Sequence, residues 1–196
     1  MAIQKIIRFP LPSLREPCRP VEFPLSAELL EHIGDLKDTL AATPHGVALA
    51  SNQILPKGHR VFVLREDLRL QPVPSMQGNI LQTVVINPRW EAYVPHEIDT
   101  APRSFRKEWL EEHNLFMEGC LSIPEYASRL KREYWVECIY QDTEGKWGVT
   151  VCQGLAARIV QHECDHLDGR LVLDYADTRT RARIKVEAIN NRRRGR

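Results

Sequence analysis

The chain has 196 residues, enough for one domain with a substantial core. Its 43% apolar and 27% charged residues are those of a globular protein, and no apolar run nears the roughly 20 residues that cross a membrane. The net charge of +1 conceals an asymmetry: residues 178–196 hold eight Lys or Arg against one acid, Glu187, for a net +7, so the rest sums to −6.

The opening residues, MAIQKIIRFPLPSLREP, lack the sustained apolar segment and small-residue cleavage site of a secretory signal, so a cytoplasmic setting of bacterial type is expected. Residues 5–9, KIIRF, read as a short strand. The clearest helix spans 26–42: Ser26 is placed to cap it, Leu29, Leu30, Ile33, Leu36 and Leu40 form an apolar stripe, and Pro44 ends it. A small, tight segment, GVALASNQ (46–53), follows His45. Runs at 59–66 and 81–90 are rich in strand formers, whereas the polar, Pro-containing stretch 97–114 reads as a surface insertion. Residues 132–142 and 149–152, joined by TEGKWG, predict an antiparallel hairpin. A second helix, GLAARIVQHECDHLDG, is stopped by Gly169, and a third runs from about 176 to 191. Together these predict an α+β domain over 1–177, with mainly antiparallel strands around a central helix, then a basic helix or tail over 178–196. The five scattered cysteines imply no disulfide framework.

The second helix carries the chemistry. In HECDH, His162 and His166 are four apart and so share one helix face, able to reach one ion. Glu163 is rotated to the side, where a general base for water activated by a metal belongs. Cys164 falls on the face turned away and is assigned to the core. A third protein ligand is required. The extended pattern HExxHxxGxxH is matched at Gly169 but has Val172 where its last histidine belongs, so it fails. Glu187, downstream, is one candidate. Cys120, in MEGCLSIP (117–124), is the better one, because a thiolate binds zinc or ferrous iron strongly.

GVALASNQ, EGCLS (118–122) and QHECDHLDG (161–169), in this order, resemble the three signature motifs of the peptide deformylase family, and the likeness extends over most of the chain. The resemblance implies that family's α+β fold and a metal held by Cys120, His162 and His166. The ion implied is Fe2+, with Zn2+, Ni2+ or Co2+ able to replace it. It further implies that Glu163 moves the proton, while the Gln53 side chain and the Leu121 backbone N–H face the oxyanion. The substrates implied are N-formylmethionyl nascent peptides, from which formate is released. Gly46, Val47, Ala48, Glu118 and Arg158 fall at substrate-facing positions. Gln161, Asp165 and Arg132 match supporting positions, with an Asp165–Arg132 ion pair bracing the helix and Glu118 orienting the cysteine loop. The basic segment 178–196 suits docking to the ribosome; no membrane partner is expected.

Four residues depart from the family pattern. Ala48 and Ser51 stand where glycine and alanine are usual, and Arg158 replaces an aliphatic residue one turn before His162. There it must snorkel out or change the pocket. Ala127 stands where many relatives have an arginine, and the 97–114 connection is longer than usual. Two other readings therefore stay open: a metallopeptidase using Glu187 as third ligand, and a non-catalytic relative that binds ribosomes or RNA.

Overall fold

The computed structural model describes residues 2–68 and 81–194. The end of the basic tail, 195–196, lies outside the described residues. Helix α1 (Ala27–Ala41) is capped by Ser26, whose hydroxyl accepts from the Leu29 N–H at 3.2 Å. Strands β1 (Ala48–Ala50), β2 (Val61–Leu64) and β3 (Val84–Ala92) follow. Helices α2 (His96–Asp99) and α3 (Arg103–His113) lead into β4 (Leu115–Cys120) and β5 (Ile123–Lys131). Then come β6 (Trp135–Gln141), β7 (Trp147–Gln153), α4 (Leu155–Leu167) and α5 (Thr178–Arg193). None of the described helices is long and apolar enough to cross a membrane.

One antiparallel sheet has the order β1-β2-β3-β6-β7, and β4 and β5 form a separate hairpin. The two-residue period of a strand decides what each face of the sheet covers. Phe62 and Val85 point into a core shared with α4; Val61, Val63 and Ile86 point into a core shared with α1. Burial on both faces explains why VFVL is apolar without alternation. A third cluster, with Leu14, Ile123 and Leu171, sits beneath the β4–β5 hairpin, and Ile184 of α5 joins it. Helix α4 is buried along nearly its whole length.

Several expectations need correction. Residues 5–9 are not a strand, although the Ile7 N–H donates to the Gln53 carbonyl at 2.6 Å and the Phe9 N–H to that of Ser122 at 2.9 Å. The segment is extended and pinned at two points without a ladder. Leu30 is 52% exposed, because Leu29, Ile33, Leu36 and Leu40 complete the buried stripe without it. The surface stretch 97–114 is largely helical, as α2 and α3, and neither helix buries a residue.

Gly169 ends α4 for a reason of space as well as conformation. Its φ is +73°, and a Cβ there would lie 2.4 Å from the Arg15 carbonyl oxygen.

Candidate active site

Three elements meet at the site. The β4–β5 hairpin carries Cys120 at its tip, and strand alternation turns Glu118 and Cys120 inward together. Helix α4 presents His162 and His166, whose rings lie 4.9 Å apart. The short helical turn Ser51–Gln53 after β1 supplies Gln53.

The ligand atoms of Cys120, His162 and His166 all lie within 4.8 Å of one another, and Cys120 Sγ is 3.2 Å from His166 Nε2. A thiolate with two imidazoles suits a transition metal. Buried Glu163 Oε2 has no hydrogen-bond partner among the described residues, a cost that water beside an ion removes. The residues therefore fit a metal site. Glu187 is not one of the trio: it sits on α5 and accepts from Arg183 at 2.8 Å.

Gln53 is buried and held from both ends. Its Oε1 accepts from the Ala50 N–H at 2.9 Å, and its Nε2 donates to Ser122 Oγ at 3.1 Å and faces Cys120 Sγ at 4.0 Å. Its amide N–H groups thus lie beside the trio, and Leu121, next after Cys120, lines the same cavity.

Behind the trio stands a buried charge network. Glu118 Oε1 accepts from His162 Nδ1 and from Arg132, each at 2.7 Å. Arg132 also donates to Asp165 Oδ2 at 2.7 Å, so the pair inferred from sequence is present in the fold. Glu118, two residues before Cys120, ties the cysteine-bearing strand to His162. Gln161 donates to the Glu133 carbonyl at 2.9 Å and accepts from the Glu133 N–H at 3.0 Å, tying α4 to the start of β6.

Burial works against the Glu118 anion, but hydrogen bonds from His162 and Arg132 outweigh it and hold the carboxyl down at about 2. His162 is raised well above its usual value: burial disfavours the imidazolium, and bonding to Cys120 and Glu118 overcomes that. His166 is lowered, first by burial and then by His162. Glu163 is pushed up to about 7 by burial, against the pull of His162 and with the charge of Glu118 adding to the rise.

The last shift predicts a pH effect on the ion-free protein. Its retained proton favours folding fully below the ordinary carboxyl value of 4.5, and this contribution is lost as pH rises through about 7. Glu163→Gln removes it. Urea midpoints measured in chelator should show the variant more stable than its parent above pH 7 and level with it below pH 4.5.

A cavity of about 640 Å³ opens over the trio. Gly46, Val47, Ala48, Glu118 and Arg158 line it, as do Gln53, His162 and Glu163, whereas Gln161, Asp165 and Arg132 stand behind it. Arg158 neither snorkels out nor points freely into the cavity; it is 8% exposed and donates to Glu118. Leu155 and Ile159 also line the wall. Sequence reasoning passed over them, although they precede His162 at helical spacing on one face. His45 is exposed at a φ of +61° and still borders the cavity, as does Arg8.

Ser51 has a structural explanation. Its hydroxyl accepts from the His59 N–H at 2.9 Å and bonds His32 Nε2 at 2.7 Å. Burial, with the neighbouring His59, lowers His32 to about 4 and keeps its ring neutral. Nothing in the structure explains the arginine-to-alanine change at Ala127.

An HExxH helix and a cysteine-bearing hairpin thus meet in an α+β fold at three residues able to hold a metal ion. Residues 3–182 match the polypeptide deformylase family. The chain is 34% identical over 186 residues to the peptide deformylase of Azotobacter vinelandii, covering 94% of both chains, and 33% identical to that of Pseudomonas aeruginosa over the same share. A crystal structure of a peptide deformylase from Legionella pneumophila superposes with a TM-score of 0.71 at 28% identity, covering 98% of this chain and 96% of that one. One from Ehrlichia chaffeensis reaches 0.77 at 23% identity over 99% of both, a likeness of fold. The chain belongs to the peptide deformylase family.

Proposed function

We propose that this chain removes the formyl group from the N-terminal methionine of new polypeptides, releasing formate. The observation that carries this is the convergence of Cys120, His162, Glu163 and Gln53 on one open cavity, with His166 completing the ligand trio. Cys120, His162 and His166 would hold one divalent ion, which we take to be ferrous iron because membership of the family implies it; the thiolate and imidazole donors suit zinc equally. Such an ion supplies Lewis acidity and activates water at neutral pH.

The chain's own residues do the rest. Glu163, buried and short of a partner, takes the proton of the attacking water and returns it to the leaving amine nitrogen as the C–N bond breaks. One water is consumed; formate and a free amine result. Gln53 and the Leu121 N–H donate to the oxygen that becomes negative in the tetrahedral state. Glu118 fixes the tautomer and angle of the His162 ring. Val47, Leu155 and Ile159 offer an apolar wall for the methionine side chain.

Gln53→Ala should lower kcat by about 10²–10³-fold with little change in KM, because the lost donor acts chiefly on the transition state. Steady-state kinetics on a formyl-methionyl peptide check this. The reading as a whole is tested by product analysis on formyl-Met-Ala-Ser. Intact Met-Ala-Ser with a free amine supports it; a cut peptide bond supports the metallopeptidase instead. A non-catalytic RNA binder gives no reason to keep both Glu163 and Gln53 at the cavity.

We further propose a cytoplasmic site of action close to the ribosome. Helix α5 buries Ile184 and Ala188 against the body and leaves Arg179, Arg181, Arg183 and Lys185 exposed. Such a surface fits ribosomal RNA, and its binding should weaken steeply with salt.

A further inference from the structure

Arg158 is the least expected residue of the site, one turn before His162 on α4. Its guanidinium donates to Glu118 Oε2 at 3.2 Å, to the Leu130 carbonyl at 3.2 Å and to the Asn114 carbonyl at 3.1 Å, and it lies 5.4 Å from the Phe116 ring. These acceptors belong to separate parts of the fold. Leu130 is in β5. Asn114 is the C-cap of α3, where a helix leaves carbonyl groups unpaired and presents the negative end of its dipole. Glu118 bonds His162 through its other oxygen.

Helix α3 buries no residue of its own. It meets the body through Trp109, stacked on Trp135 at 4.5 Å and edge-on to Tyr134 at 4.8 Å, and through Asn114, whose carbonyl also accepts from the Arg132 N–H at 3.0 Å. The long insertion and the unusual arginine are thus joined at one atom, the Asn114 oxygen.

We infer that Arg158 is a positioning residue that couples the docking of insertion helix α3 to the orientation of His162 through Glu118. The inference rests on His162 being a metal ligand. Each Glu118 oxygen takes two donors: His162 and Arg132 on one, Arg132 and Arg158 on the other. This fixes the carboxylate plane and with it the imidazole ring. The same buried group joins two carboxylates, Glu118 and Asp165, to two guanidiniums and the His162 ring. Without Arg158, Glu118 Oε2 keeps only the Arg132 donor, the carboxylate plane is less firmly set, and the end of α3 loses a cationic cap.

The test is titration of cobalt(II) alone into the ion-free protein, read by visible absorption. Arg158→Met should weaken cobalt binding by about 10- to 100-fold and change the spectrum. Arg158→Lys should recover part of the loss, since a point charge satisfies fewer acceptors than the planar fork. Trp109→Ala, made away from the trio, should weaken binding by about 2- to 30-fold. With Arg158→Met already present it should add less than that, because the coupling is gone. Parent-like affinity in Arg158→Met, or multiplying effects of the two changes, would overturn the inference. If Arg158→Met does not fold, Arg158→Lys and Trp109→Ala decide: parent-like affinity and spectrum in both overturn it. A parent that takes up no cobalt would remove the metal reading itself, whereas cobalt uptake without deformylation would count only against the proposed substrate.

Discussion

Replacing Glu163 by alanine is expected to slow formate release by about 10²–10⁴-fold while leaving metal content unchanged. Glu163 lies on α4 next to His162, yet it is outside the Cys120–His162–His166 trio. It is 4% exposed, and one of its oxygens has no partner among the described residues. A buried carboxyl beside the trio, with one oxygen free of a partner among the described residues, is placed to take a proton in one step and give it back in the next. Metal analysis alongside formate release separates its role from that of a ligand. Full activity in the variant would sink the proposed mechanism.

Cys120→Ala should have the larger effect, removing metal and activity together. In the proposed site the thiolate is one of three protein ligands among the described residues, and two imidazoles alone hold a divalent ion weakly. Bound metal should fall from about one ion per chain to almost none. The fold should survive, because Cys120 sits at the hairpin tip, while Ile123, Tyr126 and Leu130 bury the hairpin's inner face. Circular dichroism together with metal analysis tests both halves of this expectation.

The site was legible in the sequence where chemistry demands particular residues at fixed spacing. Two histidines one turn apart with a glutamate beside the first satisfy a geometric need that any helix meets, so HECDH announced itself. Cys120 is 42 residues upstream of His162, and only the fold brings them together. No local pattern marks it as a ligand. The likeness of the surrounding motifs supplied that link.

Other features gave weak or misleading local signals. In β5 the buried residues Ile123, Tyr126 and Leu130 are spaced three and four apart, a helical rhythm rather than strand alternation. Helices α2 and α3 bury nothing, so no apolar stripe marked them within 97–114. KIIRF has strand-forming residues but no neighbouring strand to complete a ladder. Arg158 read as an intruder in a pocket because its acceptors, at 114, 118 and 130, are distant in sequence. A buried cation is understood only once its partners are in place.

The central claim is that one metal ion, held by this cysteine and these two histidines, serves hydrolysis of a formyl group. A ferrous ion beside a thiolate is open to oxidation, so the protein must be purified without oxygen. The most direct measurement is formate release from formyl-Met-Ala-Ser, with metal content determined on the same sample. About one ion per chain and formate equal to the free amine formed are expected. Bound metal with no formate, or turnover undiminished after the metal is stripped, would contradict the claim.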